Sequence, residues 1–165
     1  MFTTETPIRV RYGETDQMGY LYYGNYAQYY EVGRAEMIRS IGLTYAAMEK
    51  EFGTLMPVMS LNMRFVRPAL YDELMTVKTI LRELPGSTIT FHHEIFNEKN
   101  KLVNGGSVKL CFVDARSNKS IKAPEFLITN VIGLITSFLF ALLVVILTGW
   151  FEKKGFKTEV YNGDQ

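Results

Sequence analysis

Hydrophobic and polar positions recur along this chain with two different periods, and the switch between them orders its first 126 residues. Ile8 to Tyr12 (IRVRY) alternates apolar and polar side chains, as a half-buried strand does. Gly13 to Tyr23 is rich in Gly and polar residues and reads as a loop. From about Asn25 to Ile41 the period lengthens to that of a helix, with Tyr26, Tyr30, Gly33, Met37 and Ile41 as its buried stripe. Asn25 is placed to cap this helix and Gly42 to end it. Gly33 costs roughly 1 kcal/mol of helix propensity relative to Ala, so its place in the stripe points to a close approach of helix and sheet. Thr44 to Glu51 predicts a short second helix.

Beyond that point the period is two. Val58 to Val66 alternates, with Met59, Leu61, Met63 and Phe65 on one face, and Pro68 stops it. Glu73 to Leu84, Thr88 to Phe96 and Leu102 to Asp114 predict three more strands joined by short turns at Pro85-Gly86 and Glu98-Lys99-Asn100. Ile89, Phe91, His93 and Ile95 share one side of the middle strand, and Gly105-Gly106 predicts a bulge or tight bend in the last. One amphipathic helix followed by a strand meander implies an α+β fold with the sheet wrapped around that helix.

The pattern changes again near Pro124. Residues 127–151 (LITNVIGLITSFLFALLVVILTGWF) carry no charged side chain and are followed by Glu152, Lys153 and Lys154. A helix needs roughly 20 mainly apolar residues to cross a bilayer core, and Trp150 with the lysines behind it resembles an interface anchor. The expected division is a domain over 1–126, a transmembrane helix over 127–151 and a polar tail over 152–165; the run also fits a buried helix serving an oligomer or a misread reading frame, but a buried helix rarely lacks charge for 25 residues. Lysines flank both ends of the run (Lys119 and Lys122, then Lys153, Lys154 and Lys157), so charge bias does not fix its orientation.

Composition narrows the chemistry. An apolar fraction of 47% and a charged fraction of 21% are those of a globular chain. A net charge of +1 gives no reason to expect nucleic acid. The single Cys111 excludes an internal disulfide and a cysteine metal cluster, and it reads as a small core residue. His92 and His93 are neighbours on a strand and point to opposite faces, so they cannot hold a metal together; His93 reads as packed and His92 as superficial. Glu31 and Arg34 stand at the spacing of a structural pair on the helix.

The stretch Val10 to Arg39 (VRYGETDQMGYLYYGNYAQYYEVGRAEMIR) is the informative one. It places an acid, Asp16, in a loop, and the start of a helix some seven residues later. A helix start offers free backbone N–H groups that can hold a carbonyl oxygen as it gains charge, and a nearby carboxylate can attack or activate water. Spacing alone also fits a loop Asp that merely caps a turn.

This stretch is similar to the signature of the 4-hydroxybenzoyl-CoA thioesterase branch of the hot-dog superfamily: a strand, an acid-Thr-Asp-x-x-Gly loop, an aromatic run, Asn-Tyr, and a helix with an acid and an Arg. The matching residues are Glu14, Thr15, Asp16, Gly19, Tyr22, Tyr23, Asn25, Tyr26, Tyr30, Glu31 and Arg34. Phe65-Val66-Arg67-Pro68-Ala69 and Tyr71-Asp72-Glu73 resemble the family's next strand and turn. The likeness covers roughly 5–126.

The resemblance implies a hot-dog fold and hydrolysis of an acyl-CoA thioester to a free acid and coenzyme A, without a metal or redox cofactor. Asp16 would be the catalytic carboxylate, as nucleophile or general base, and Tyr23 would give its backbone N–H to the thioester oxygen. Gly19 would let the loop turn beside the acyl group. Tyr22, Gly24 and Asn25 would adjoin the substrate, and Arg64 and Arg67 would meet the phosphates of coenzyme A. It further implies a homodimer or homotetramer. The tail lies outside the resemblance; with no secretory signal read ahead of it, the catalytic domain is expected in the cytoplasm, held at a membrane by residues 127–151. Two rivals use the same fold: a binding module for acyl thioesters or acyl-carrier protein, and a hydroxyacyl-thioester dehydratase. A binder has no need of Asp16, and the dehydratase wants a His that the motif loop lacks.

Overall fold

A computed structural model describes residues 1–133, 136 and 143–146. Its first compact unit is Met1–Val131. Strand β1 (Phe2–Arg9) is followed by two single 3-10 turns, Tyr12–Glu14 and Tyr23–Asn25, and then by α1 (Tyr26–Ser40) and α2 (Tyr45–Lys50). The remaining elements are β2 (Thr54–Leu55), β3 (Val58–Phe65), β4 (Leu74–Leu81), β5 (Thr88–Phe96), β6 (Leu102–Asp114) and β7 (Ser120–Ile121). All pairings are antiparallel, and the long strands run in the order β1-β4-β5-β6-β3, with β2 and β7 on the far end of β6. Helix α1 packs on the part of the sheet made by β1, β4 and β5. This is the hot-dog arrangement that the resemblance implies.

Helix and sheet meet through the periods seen in the sequence. Tyr26, Tyr30, Gly33 and Met37 of α1 are buried, joined by Tyr29, Arg34 and Ile38. Ile89, Phe91, His93 and Ile95 are the buried residues of β5. Fully burying a side chain such as Phe91 or Ile95 contributes roughly 1.5–3 kcal/mol, so this shared layer is the main source of stability. Arg34 is buried yet satisfied: Tyr45 accepts its hydrogen bond at 2.9 Å, and Glu31 lies 3.9 Å away. Gly42, at φ +82°, ends α1 in the left-handed conformation that glycine adopts without strain.

Four local expectations need correction. Strand β1 occupies Phe2–Arg9 rather than 8–12, because Phe2 to Arg9 pair residue by residue with Leu81 to Leu74. Tyr12–Glu14 instead forms a 3-10 turn, whose entrance is closed by the Glu14 carboxylate on the Arg11 N–H. Asn25 stands at the N-cap position of α1 but its side chain makes no capping bond; its amide donates to the Glu14 carbonyl at 2.8 Å. The irregularity in β6 lies opposite Ile95 and Phe96, not at Gly105-Gly106. Gly106 answers to a close approach: a β-carbon there would run into the Asn62 carbonyl and stand 2.8 Å from the Tyr30 hydroxyl.

Strand β3 is a strand as expected, but it is the open edge of the sheet, and Met59, Leu61 and Phe65 are 57%, 42% and 51% exposed. The chain is helical over 125–133, and Leu127 and Val131 are buried. Most of the run 127–151 lies outside the described residues. Among the described residues, no helix is long and apolar enough to cross a membrane.

Candidate active site

The loop between β1 and α1 folds back on itself around Asp16. Thr15 bridges to Leu21, the Asp16 N–H donates to the Tyr20 carbonyl at 2.8 Å, and the Gly19 N–H donates to the Asp16 carbonyl at 2.9 Å. Gly19 sits at φ +76°, which a side chain would strain, so the turn needs glycine there. The Asp16 Oδ1 accepts from the backbone N–H of Met18 at 2.9 Å and of Tyr20 at 3.4 Å. One carboxylate oxygen is thus fixed by the loop, while Oδ2 accepts no hydrogen bond among the described residues. The loop is moored to the chain that follows β3 by the Tyr20–Leu70 bridge and by the Leu21 N–H on the Ala69 carbonyl at 2.8 Å.

The other half of the site is the entrance to α1. The Tyr22 N–H donates to the Glu14 carbonyl and the Asn25 N–H to the Tyr22 carbonyl, both at 2.9 Å. Between them, the N–H groups of Tyr23 and Gly24 begin the 3-10 turn and have no acceptor among the described residues. Two free donors on adjacent residues suit an oxygen that gains negative charge.

Asp16 and Tyr23 line one cavity of about 330 Å³. Its walls are mostly apolar: Met18, Leu21, Tyr26 and Phe65 contribute, and Arg67 stands at its side. Tyr26 meets Phe65 edge to face at 5.3 Å, and burial pushes its hydroxyl up to about 12. A hollow of about 570 Å³ beside β1, lined by Arg9, Tyr12 and Tyr71, is larger but holds neither Asp16 nor the free N–H pair.

The residues expected from sequence fall into three groups. Asp16, Tyr23 and Arg67 share the cavity. Gly19, Tyr22, Gly24 and Asn25 build its surroundings: Tyr22 packs on Tyr23 at 4.5 Å between ring centres, and the Asn25 side chain is turned to Glu14. Arg64 does not line the cavity, and Arg67 donates to the Leu102 carbonyl at 2.6 Å. Phe65 and Met18 were not expected at the site. Phe65 has only a partial signal in the sequence, since it ends the apolar face of a strand, and the open edge that exposes it comes from the strand order.

Residues 18–104 match the sequence model of the thioesterase superfamily. The chain is 37% identical over 123 residues to the putative acyl-CoA thioesterase YneP of Bacillus subtilis, which covers 74% of this chain and 88% of that one. It superposes on the DHNA-CoA thioesterase of Staphylococcus aureus with a TM-score of 0.70 at 32% identity, covering 96% of this chain and 98% of that one. A 4-hydroxybenzoyl-CoA thioesterase shares the fold, with a TM-score of 0.71 at 20% identity over 78% of this chain and 97% of that one.

Proposed function

Because the chain belongs to the thioesterase superfamily and is an acyl-CoA thioesterase, we propose that Asp16 and the free N–H groups of Tyr23 and Gly24 are its working parts. The observation that supports this reading is the shared cavity: it is lined both by Asp16, one of whose carboxylate oxygens accepts no hydrogen bond among the described residues, and by Tyr23, whose backbone N–H has no acceptor among them. The thioester oxygen would lie on the N–H pair, which stabilises the charge it gains as the carbonyl carbon becomes tetrahedral. The Asp16 Oδ2 would either attack that carbon, forming a mixed anhydride that water then opens, or take a proton from the attacking water. Either route consumes one water and releases a carboxylic acid and the coenzyme A thiol, and no step calls for a metal or redox group.

The apolar walls suit an acyl chain or ring, and Arg67 at the cavity side suits a phosphate of coenzyme A. Arg64, lying outside the cavity, is assigned no such role. We place catalysis in the cytoplasm, and we read the open β3 edge as the face that joins a second copy. The charge-free run 127–151 would tether the domain to the cytoplasmic side of a membrane; recovery of the full chain in the soluble fraction without detergent would sink that last point.

The test is thiol release from acetyl-, hexanoyl-, palmitoyl- and benzoyl-CoA by the full chain and its Asp16→Asn variant. Turnover that falls by about 10³-fold or more in a folded variant is the expected result. Binding of acyl-CoA without release by the unaltered chain would replace the enzyme with a binding module.

A further inference from the structure

Glu14 bonds to the helix-entrance half of the site although it does not line the cavity. Its carboxylate accepts from the Tyr29 hydroxyl at 2.7 Å and from the Arg11 N–H at 2.9 Å. Its carbonyl accepts from the Tyr22 N–H at 2.9 Å and from the Asn25 amide at 2.8 Å. Tyr22 and Asn25 bracket the free N–H groups of Tyr23 and Gly24, and Tyr29 lies one turn further along α1. Two residues after Glu14, the chain reaches Asp16.

These bonds are in a position to count. The Glu14 side chain is 13% exposed, whereas its ion-pair partner Arg11, at 3.7 Å, is 76% exposed and adds little. Tyr29 is buried, and its burial, then the adjoining Glu14 carboxylate, push its hydroxyl up from the usual tyrosine range. A hydrogen bond from a buried hydroxyl to a carboxylate is stronger than the loop's exposed contacts.

We propose that Glu14 is a positioning residue: through Tyr29, Tyr22 and Asn25 it fixes the spacing between the Asp16 carboxylate and the N–H pair of Tyr23 and Gly24. This rests on the thioesterase reading of that site. Thioester attack needs the carboxylate and the donors on one carbonyl at once, and a misplacement of about 1 Å can cost on the order of 100-fold in rate. Binding of the acyl group against the apolar walls is far less demanding. The residue thus acts on kcat and leaves KM nearly alone.

The experiment compares Tyr29→Phe, Glu14→Gln, Glu14→Ala and the double variant Glu14→Ala/Tyr29→Phe in the full chain, with the acyl-CoA that the unaltered chain turns over fastest. Tyr29→Phe removes one oxygen from a residue outside the cavity and keeps the ring, so it answers the question even if Glu14→Ala unfolds. We expect kcat to fall about 5-fold in Tyr29→Phe and about 50-fold in Glu14→Ala, with KM within about twofold. Glu14→Gln, which keeps an acceptor oxygen, regains part of the loss, and Tyr29→Phe adds nothing on top of Glu14→Ala. The inference is overturned if Tyr29→Phe and Glu14→Gln both keep the kcat of the unaltered chain, or if the losses appear in KM. Absence of turnover by the unaltered chain, or an Asp16→Asn variant at full rate, instead overturns the reading of the site and this inference with it.

Discussion

Gly33 of α1 lies so close to Thr79 of β4 that a β-carbon at position 33 would stand 2.5 Å from the Thr79 hydroxyl oxygen and 2.8 Å from a Val77 methyl. Both neighbours are β-branched strand residues with little freedom to turn aside. Alanine at 33 adds roughly 1 kcal/mol of helix propensity, but overpacking at such a contact costs roughly 1–3 kcal/mol. The helix would have to lift from the sheet, so the second term wins. We expect Gly33→Ala to lower stability in urea by about 1–2 kcal/mol, and Thr79→Ala to restore part of that when combined with it. A Gly33→Ala variant as stable as the unaltered chain would contradict the close packing.

His93 is buried against Tyr30 with its ring stacked at 4.3 Å, its Nδ1 is 3.2 Å from the Thr79 hydroxyl, and its Nε2 has no partner among the described residues. A proton on that ring would be a buried charge, and the nearby Arg34 opposes it as well; burial first, then Arg34, lowers its pKa from 6.5 to about 3. The folded state therefore binds this proton more weakly than the unfolded state. The stabilisation is present in full above about pH 6.5 and is lost as pH falls toward 3. Between pH 6.5 and 5, before most carboxylates titrate, the loss is about 2 kcal/mol. His93→Phe keeps a ring in place and removes the titration. Urea melts at both pH values check this: parallel losses in the two proteins would exclude His93 as the source.

Much of this arrangement is legible in the sequence, for physical reasons that differ by residue. The α1 stripe and the β5 alternation follow from one rule: a face that is buried must be apolar at the period of its element. Gly33 announces its contact because glycine is costly inside a helix. The Asp16 turn is legible through Gly19 and the fixed motif spacing. What the sequence conceals is pairing. Thr3, Thr4 and Thr6 of β1 are polar enough to pass for a tail, and only their partners on β4 make them strand. Asn25 has the chemistry of a helix cap, yet Glu14, eleven residues earlier, takes its amide. The alternation of β3 suggests burial, whereas the strand order leaves it at the edge.

Gly19 tests how far the turn holds Asp16. Its φ of +76° is left-handed, and no atom lies within 4 Å of where a β-carbon would be, so backbone strain is the whole cost of a substitution. That strain is roughly 1–2 kcal/mol for most residues and smaller for Asn. The loop can relieve it by opening, which moves Asp16 away from the N–H pair. We expect kcat to fall in the order Gly, Asn, Ala, Val at position 19, with the thermal midpoint lowered by about 2–8 °C. An Ala variant faster than the Asn variant would show that the left-handed conformation does not matter.

The open edge at β3 makes the last prediction. Val58, Met59, Leu61 and Phe65 expose large apolar surface on a strand whose outer hydrogen-bonding groups have no neighbouring strand among the described residues. A folded chain rarely leaves such an edge bare, since it would join other chains indiscriminately. Phe65 also ties this edge to catalysis, because it walls the Asp16 cavity and packs on Tyr26 at 5.3 Å. Lysine at 59 or 61 would stay solvated in an isolated chain but would desolvate a charge in a paired one. We therefore expect the chain to sediment as a dimer or larger, and Met59→Lys/Leu61→Lys to shift it to monomer at micromolar concentration with a far-UV spectrum unchanged. Turnover should fall in step with the loss of dimer, because Phe65 then loses the support that fixes it at the cavity wall. A variant that sediments like the unaltered chain would mean that copies meet elsewhere, and a fully active monomer would mean that one chain completes the site alone.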